Sequence, residues 1–160
     1  MTDHYQMPPG FKIISGGQTG ADRAALDWAL AHNVPCGGWC PAGRKSEDGR
    51  IPEFYMLKET RSKGYLTRTQ WNVRDSDATF IFTTSATLDG GSKRTADFAE
   101  RLGKPWLHIW PGVAMNEVIA FLRRHRVLTL NVAGKRASAA PGVGELTLSV
   151  LDAVLLDQGC

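Results

Sequence analysis

The stretch from Lys12 to Leu30, KIISGGQTGADRAALDWAL, constrains the fold of this chain more than any other. Ile13 and Ile14 read as the end of a buried strand. Gly16 and Gly17 break regular structure, and Gln18, Thr19 and Gly20 lead into a helix predicted over Ala21–Ala31. A strand that feeds a glycine turn and then a helix aims unpaired N–H groups at the space above the strand end. With the positive end of the helix dipole, they make an anion site. The glycines allow positive φ and let a ligand oxygen approach the main chain without meeting a Cβ. Thr19 can cap the helix or donate its hydroxyl to a phosphate, and Arg23 reaches the same space. Ala21, Ala24 and Ala25 let the helix lie close on a sheet. The spacing is neither GxGxxG nor Walker A, since no lysine follows Gly20. Such a turn can be purely structural, but the polar groups crowded on one short loop favour a site.

The same architecture recurs later in the chain. Ala78–Thr83 (ATFIFT) is apolar on both faces, as a central parallel strand must be. From Thr84 the chain runs to Gly90-Gly91. Ser92 and Lys93 then enter a helix that ends at Leu102, before Gly103 and Pro105. With Thr95 in its first turn, this second helix start offers another set of anion donors.

Between the two units, Val34–Trp39 is predicted as a strand. The long irregular segment Cys40–Tyr55 follows, carrying Arg44, Lys45, Glu47, Asp48 and Arg50. It reads as a lid or ligand wall, or as a solvated excursion. Leu57–Gly64 reads as a charged helix or turn. A helix over Thr67–Asp75 puts Arg68, Asn72 and Asp75 along one face, toward a pocket or toward water.

Beyond the second unit, Trp106–Trp110 is a strand, and Ala114–Arg124 a helix with Met115, Val118, Ile119 and Leu122 as its core stripe. Arg123 to Arg126 complement that helix's dipole more simply than they form a nucleic-acid patch. Val127–Val132 is the fifth strand, and a helix over Gly144–Leu156 closes the chain. Strands alternating with helices give an α/β fold around a parallel sheet, expected as one domain over 1–160.

Ligands of open parallel sheets bind outside the carboxyl ends of the strands. The loops leaving those ends are Gly16–Gly20, Cys40–Arg50, Thr84–Lys93 and Asn131–Ser138, the last bearing Lys135, Arg136 and Ser138. Three charge-assisted hydrogen bonds worth about 1.5–3 kcal/mol each would hold a phosphate-bearing small molecule at micromolar strength. Convergence of these loops is therefore the expectation that separates a site from scatter.

No GxSxG elbow, HExxH or Cys/His pairing is visible, so no catalytic residue is assigned. Asp22, Asp75, Asp77, Glu47 and Asp48 could act as acid or base, but no spacing singles out a pair. Cys36 and Cys40 lack a second pair at zinc spacing and read as buried reduced thiols, with Cys160 the third cysteine. The segment MTDHYQMPPG has no signal-peptide character, and no apolar run reaches membrane-span length. A cytoplasmic protein is expected.

With these residues laid out, the chain resembles the molybdenum cofactor carrier family, the circularly permuted YpsA-like branch of the Rossmann-like SLOG superfamily. The resemblance covers almost the whole chain. It runs through GGQTGADRAALDWA at Gly16–Ala29, GGWCPAGRKSEDGRIP at Gly37–Pro52 and RTQWNVRDSDAT at Arg68–Thr79, then GGSKRT at Gly90–Thr95 and LNVAGKRAS at Leu130–Ser138.

It implies a Rossmann-like three-layer sandwich with a mainly parallel sheet of five strands or slightly more, and a homo-oligomer, dimer or tetramer. It also implies binding of the molybdenum cofactor (molybdopterin), a pterin with a terminal phosphate, for storage and delivery to apo-molybdoenzymes. The binding residues it carries over are Gly16 to Gly20, Gly90 to Ser92 and the charged loops around Arg44 and Arg136. Where Lys135 and Ala137 stand the family tends to have proline and glutamate, and its GGT is Gly90-Gly91-Ser92 here.

A neighbouring SLOG branch supplies the alternative, a nucleoside 5′-monophosphate phosphoribohydrolase with the motif PGGxGTxxE. Its glutamate is missing, because Phe98 stands third after Thr95 and the nearest glutamate is Glu100. A third reading is nucleotide-ligand sensing without turnover, which would use the same pocket.

Overall fold

A computed structural model describes residues 3–157, so Cys160 lies outside the described residues. The first half of the chain runs β1 (Lys12–Ile14), α1 (Ala21–Ala31), β2 (Cys36–Gly37), β3 (Trp39–Cys40), β4 (Lys45–Ser46), β5 (Gly49–Arg50) and β6 (Lys58–Glu59). The second half runs α2 (Tyr65–Arg74), β7 (Ala78–Phe82), α3 (Gly90–Arg101), β8 (Trp106–Ile109), α4 (Met115–Arg124), β9 (Thr129–Gly134) and α5 (Val143–Leu155).

Five strands form an all-parallel sheet in the order β2-β1-β9-β7-β8. The chain steps outward twice, from β1 to β2 and from β7 to β8, and its last strand then inserts between the two halves. β9 therefore holds the middle, with Leu130 opposite both Ile13 and Ala78. The apolar strand β7 lies beside it, one position in from the β8 edge. The carboxyl ends of β1, β9 and β7 end up adjacent, where the direction of crossover reverses.

Helices cover both faces and complete a three-layer, Rossmann-like α/β sandwich. α1 and α4 each pack against α5, while α2 packs against α3. The main core joins Ile13, Phe80, Phe82, Leu130 and Val132 of the sheet to Ala21, Ala25 and Trp28 of α1, Leu122 of α4 and Val150, Leu151 and Val154 of α5. Ala21, Ala24, Ala25 and Ala29 of α1 are buried, as close helix-to-sheet packing requires.

The segment expected to be irregular has structure of its own. β4 and β5 form an antiparallel hairpin, and β3 pairs in parallel with β6. The Leu57–Gly64 stretch therefore contains a strand rather than a helix, and α2 begins at Tyr65. Beneath this segment Leu26, Cys40, Ile51 and Tyr55 make a second small core. Among the described residues Cys36 and Cys40 make no disulfide, and burial pushes both thiols up. No helix among the described residues is long and apolar enough to cross a membrane.

Gly38 is where the chain leaves the sheet. Its φ is 123° and a Cβ there would lie 2.3 Å from the Ser15 carbonyl oxygen, so β2 ends and Trp39 turns away to meet β6. Gly49, with φ 109°, has open space around its Cβ position. Gly49→Ala is expected to cost about 1 kcal/mol from backbone strain alone. Gly38→Ala should cost roughly twice that or more, because the Ser15 strand end must also move. Urea unfolding of the two variants measures the difference.

Candidate anion-binding site

A cavity of about 330 Å³ lies above the carboxyl ends of β1, β9 and β7, walled by α2 and the start of α3. The loop after β1 forms one side. Ser15 Oγ donates to the Asp22 carbonyl at 3.0 Å and accepts from the Gly17 N–H at 3.3 Å, which folds the loop back on the helix. The buried Asp22 carboxylate accepts the N–H groups of Gly16 and Gln18. The glycine-loop donors that pointed to an external anion are thus spent on a carboxylate of the chain itself. Burial pushes this carboxyl up to about 6, against the lowering effect of Arg68.

The start of α1 is also closed. Gly20, at φ 82°, flanks the helix, and a Cβ on it would lie 2.5 Å from the Lys135 carbonyl oxygen. That carbonyl accepts the Ala21 N–H at 3.2 Å. No side chain caps α1. Thr19, expected as the cap, instead donates its hydroxyl to Glu47 and accepts the Ala137 N–H at 3.1 Å. The β9–α5 loop lies over the helix start and takes the cap's place.

The start of α3 is open by contrast. No side chain caps it, and the N–H groups of its first turn have no acceptor within the helix. Ser92 Oγ is buried there without a hydrogen-bond partner among the described residues, and so are Gln18 Nε2 and Arg68 Nε. All three residues line the one cavity, contributed by α3, the glycine loop and α2. A buried donor left unpaired costs about 1–3 kcal/mol. Three converging on a polar hollow fit an oxyanion, which could accept from all of them.

The lining is also strongly basic. Arg68, Arg94, Lys135 and Arg136 face a single carboxylate, Asp22. The Tyr65 ring of the lining has the Arg68 guanidinium at 5.1 Å, that of Arg136 at 5.4 Å and, from outside the lining, Lys45 Nζ at 5.1 Å. Among the described residues no group of three His, Cys, Asp or Glu side chains could hold a metal ion.

The sequence matches the family model for the circularly permutated YpsA SLOG family over residues 13–155. This chain belongs to the circularly permutated YpsA SLOG family. The crystal structure of a protein named "Putative molybdenum carrier protein", from Syntrophus aciditrophicus SB, is 44% identical to it. The two superpose with a TM-score of 0.87, covering 92% of this chain and 97% of that one. A further structure, of (E)-4-hydroxy-3-methyl-but-2-enyl diphosphate reductase, is 12% identical with a TM-score of 0.41 over 90% of this chain and 59% of that one, too distant to bear on function. No curated protein matches the sequence.

In this SLOG chain the cavity gathers Gln18, Arg68, Gly91, Ser92, Thr95, Lys135 and Arg136 from the residues singled out in the sequence. Gly16 and Gly17 lie behind it: a Cβ on Gly16 would meet the Arg68 side chain at 2.8 Å, and one on Gly17 would meet Leu57 at 2.6 Å. Gly90 stands beside Lys135, whose ammonium pairs with Asp89.

Others are placed elsewhere, each for a visible reason. Arg44 is buried and donates to the carbonyls of Ile51, Pro52 and Tyr55 at 3.0, 2.7 and 2.8 Å, so it braces its own loop. Arg23 is held by Asp48 at 2.6 Å and by Gly17 O and Ser46 Oγ, both at 3.1 Å. Asn72 pairs with both backbone groups of Trp39, at 2.9 and 3.0 Å, and Asp75 accepts the Trp39 indole N–H. The predicted polar seam on α2 therefore divides, with Arg68 at the cavity and its companions fastening β3. Lys93 pairs with Asp97, Thr84 is exposed outside the lining, and Ser138 donates to Glu47.

Tyr65, Thr69 and Arg94 are polar lining residues that the sequence reading did not select, and Asp22 was noted there only as a possible acid or base. Arg94 follows Lys93 in GGSKRT, and the helical phase of Gly91 and Thr95 was the available signal for it. Glu100, the carboxylate nearest the phosphoribohydrolase position, accepts the Trp106 indole N–H at 2.6 Å and does not line the cavity.

Two outcomes follow from this geometry. Arg44→Met strips donors from the carbonyls of Ile51, Pro52 and Tyr55 and removes a buried charge from its acceptors, and it should destabilise the fold by about 3 kcal/mol in urea unfolding. Asp22 carries a pH signature. Its folded value near 6 exceeds the ordinary 3.8, so the native state binds that proton more tightly than the unfolded chain. The stabilisation is complete below the unfolded value and is lost as pH rises through about 6. Between pH 5 and 8 the wild type should lose roughly 1–2 kcal/mol relative to Asp22→Asn, measured by urea unfolding of both proteins at each pH.

Proposed function

We propose that this protein carries a phosphorylated small molecule in the cavity at the start of α3, and that its cargo is the molybdenum cofactor, held by its terminal phosphate. The observation that carries the reading is the meeting of Gln18 Nε2, Arg68 Nε and Ser92 Oγ, all buried and unpartnered, beside an uncapped helix N-terminus. Those donors suit the oxygens of a phosphate, and the dipole and surrounding arginines add to its hold. The pterin would lie toward Tyr65 and the exposed Leu66 at the mouth. The molybdenum carrier name of the 44% identical structure agrees with this cargo. Storage without turnover, and transfer to apo-molybdoenzymes, follow as its role.

A nucleoside monophosphate would satisfy the same phosphate donors, so the cargo is decided by experiment. Mass spectrometry of the small molecule that copurifies, with a cofactor-retention assay on the purified protein, is expected to identify molybdopterin. Recovery of AMP-like nucleotides without cofactor would favour sensing, and release of adenine from AMP would favour the hydrolase. Gln18→Ala with Ser92→Ala should weaken cargo retention by roughly tenfold or more, equivalent to about 1.4 kcal/mol. Lys93→Ala, on the outer face of α3, should change it less than twofold.

A further inference from the structure

We propose that the cavity is built for a ligand bearing two anionic groups, a diphosphate ester or a phosphate ester with a second anion beside it, and that Tyr65 positions the cations for the second group. This rests on the reading that the cavity takes a phosphorylated small molecule, and it narrows the class of that molecule.

The floor and the rim are separate sets of donors. The floor holds Gln18 Nε2, Arg68 Nε, Ser92 Oγ and the first turn of α3, enough for the oxygens of one phosphate. The rim is organised by the Tyr65 ring, which has Lys45, Arg68 and Arg136 at 5.1, 5.1 and 5.4 Å. Arg68 belongs to both sets, since its Nε is on the floor while its Cζ lies over the ring. Lys45 and Arg136 are exposed and have no ion pair among the described residues. Three like charges gathered on one ring repel each other, and the negative face of the ring offsets only part of that. An anion seated among them would remove the rest.

Charge balance points the same way. The lining sets Arg68, Arg94, Lys135 and Arg136 against Asp22 alone. Lys135 is partly neutralised by Asp89. Arg136 feels the Glu47 carboxylate, but Glu47 is committed to Thr19 and to the hydroxyl and N–H of Ser138. A phosphate monoester brings at most two negative charges, which the floor and the helix dipole already answer. The rim cations are left for a further group, and they come from three different elements: β4, α2 and the loop after β9. Chance surface basicity would not centre them on one aromatic ring.

Tyr65 is in this sense a positioning residue, acting through Lys45 and Arg136. The test is isothermal titration of the purified protein with phosphate, pyrophosphate, AMP and ADP at fixed ionic strength. Pyrophosphate and ADP are expected to bind at least tenfold more tightly than phosphate and AMP. Lys45→Ala with Arg136→Ala should reduce that ratio below threefold, and both residues are exposed enough that folding is retained. Tyr65→Ala should do the same, while Tyr65→Phe, which keeps the ring, should retain the preference. Ser92→Ala should weaken all four ligands by similar factors.

Equal wild-type affinity for AMP and ADP would overturn the two-anion proposal while leaving the carrier reading intact. So would a preference that survives the double substitution. Failure of all four anions to bind would overturn both, and cofactor retention alongside equal nucleotide affinities would overturn only this one.

Discussion

The pairing of β9 between β1 and β7 is the constraint on which the rest of the molecule depends. Neither half of the sheet could make the cavity alone, because the loop after β1 and the start of α3 after β7 belong to different crossovers. Insertion of the last strand brings both to the sides of one strand end, with Asn131 opposite Ile14 and Thr79. It also delivers the β9–α5 loop between them, so Lys135 and Arg136 arrive with it. The price is a close fit at Gly134, where a Cβ would lie 2.3 Å from the Phe82 carbonyl oxygen.

The two similar strand–glycine–helix units do opposite electrostatic work. In the first, the N–H groups of Gly16 and Gln18 point to Asp22, and the α1 start is covered by the Lys135 carbonyl. That unit is an internal anion site already filled by the protein. In the second, no side chain among the described residues caps α3, and the Ser92 hydroxyl is buried without a partner among them. The difference lies in one side chain. An aspartate two residues after Gly20 can turn back onto its own loop, whereas the equivalent stretch after Gly91 holds Ser92, Lys93 and Arg94, none of which can accept for it as a carboxylate does.

The parts of this arrangement that were legible in the sequence are those whose signal is local. The apolar run at Ala78–Phe82, the alanine-lined helix after Gly20 and the Met115–Leu122 stripe each announce their element through periodicity. Gln18, Ser92 and Arg136 stand on loops at the carboxyl ends of the strands, where the parallel-sheet rule looks for a ligand, whereas Arg68 was read from one face of its helix, toward a pocket or toward water. The fate of individual cations was not legible. Arg44 in the charged loop and Arg23 in the first turn of α1 both look like ligand residues, yet which acceptors they meet depends on the path of residues 51–57 and on Asp48, set by tertiary packing. The two-residue strands β3 to β6 were equally hidden, since pairs such as Lys58–Glu59 carry no alternation to read.

Those two arginines still bear on the cavity, by a longer route. Arg44 ties the carbonyls of residues 51 to 55 into one rigid turn, and Arg23 fastens the β4–β5 hairpin through Ser46 and Asp48. Glu47 then joins that hairpin to Thr19 and Ser138 across the site, while Gln18 Oε1 accepts the N–H of Glu47 at 2.9 Å. Gln18 is therefore oriented: with its carbonyl oxygen bound to the hairpin and to the Thr19 N–H, its amide nitrogen must face the cavity. A free glutamine would lose that donor to rotation. Arg23, Glu47 and Asp48 thus act at one remove, holding the neutral Gln18 side chain with its amide nitrogen toward the cavity.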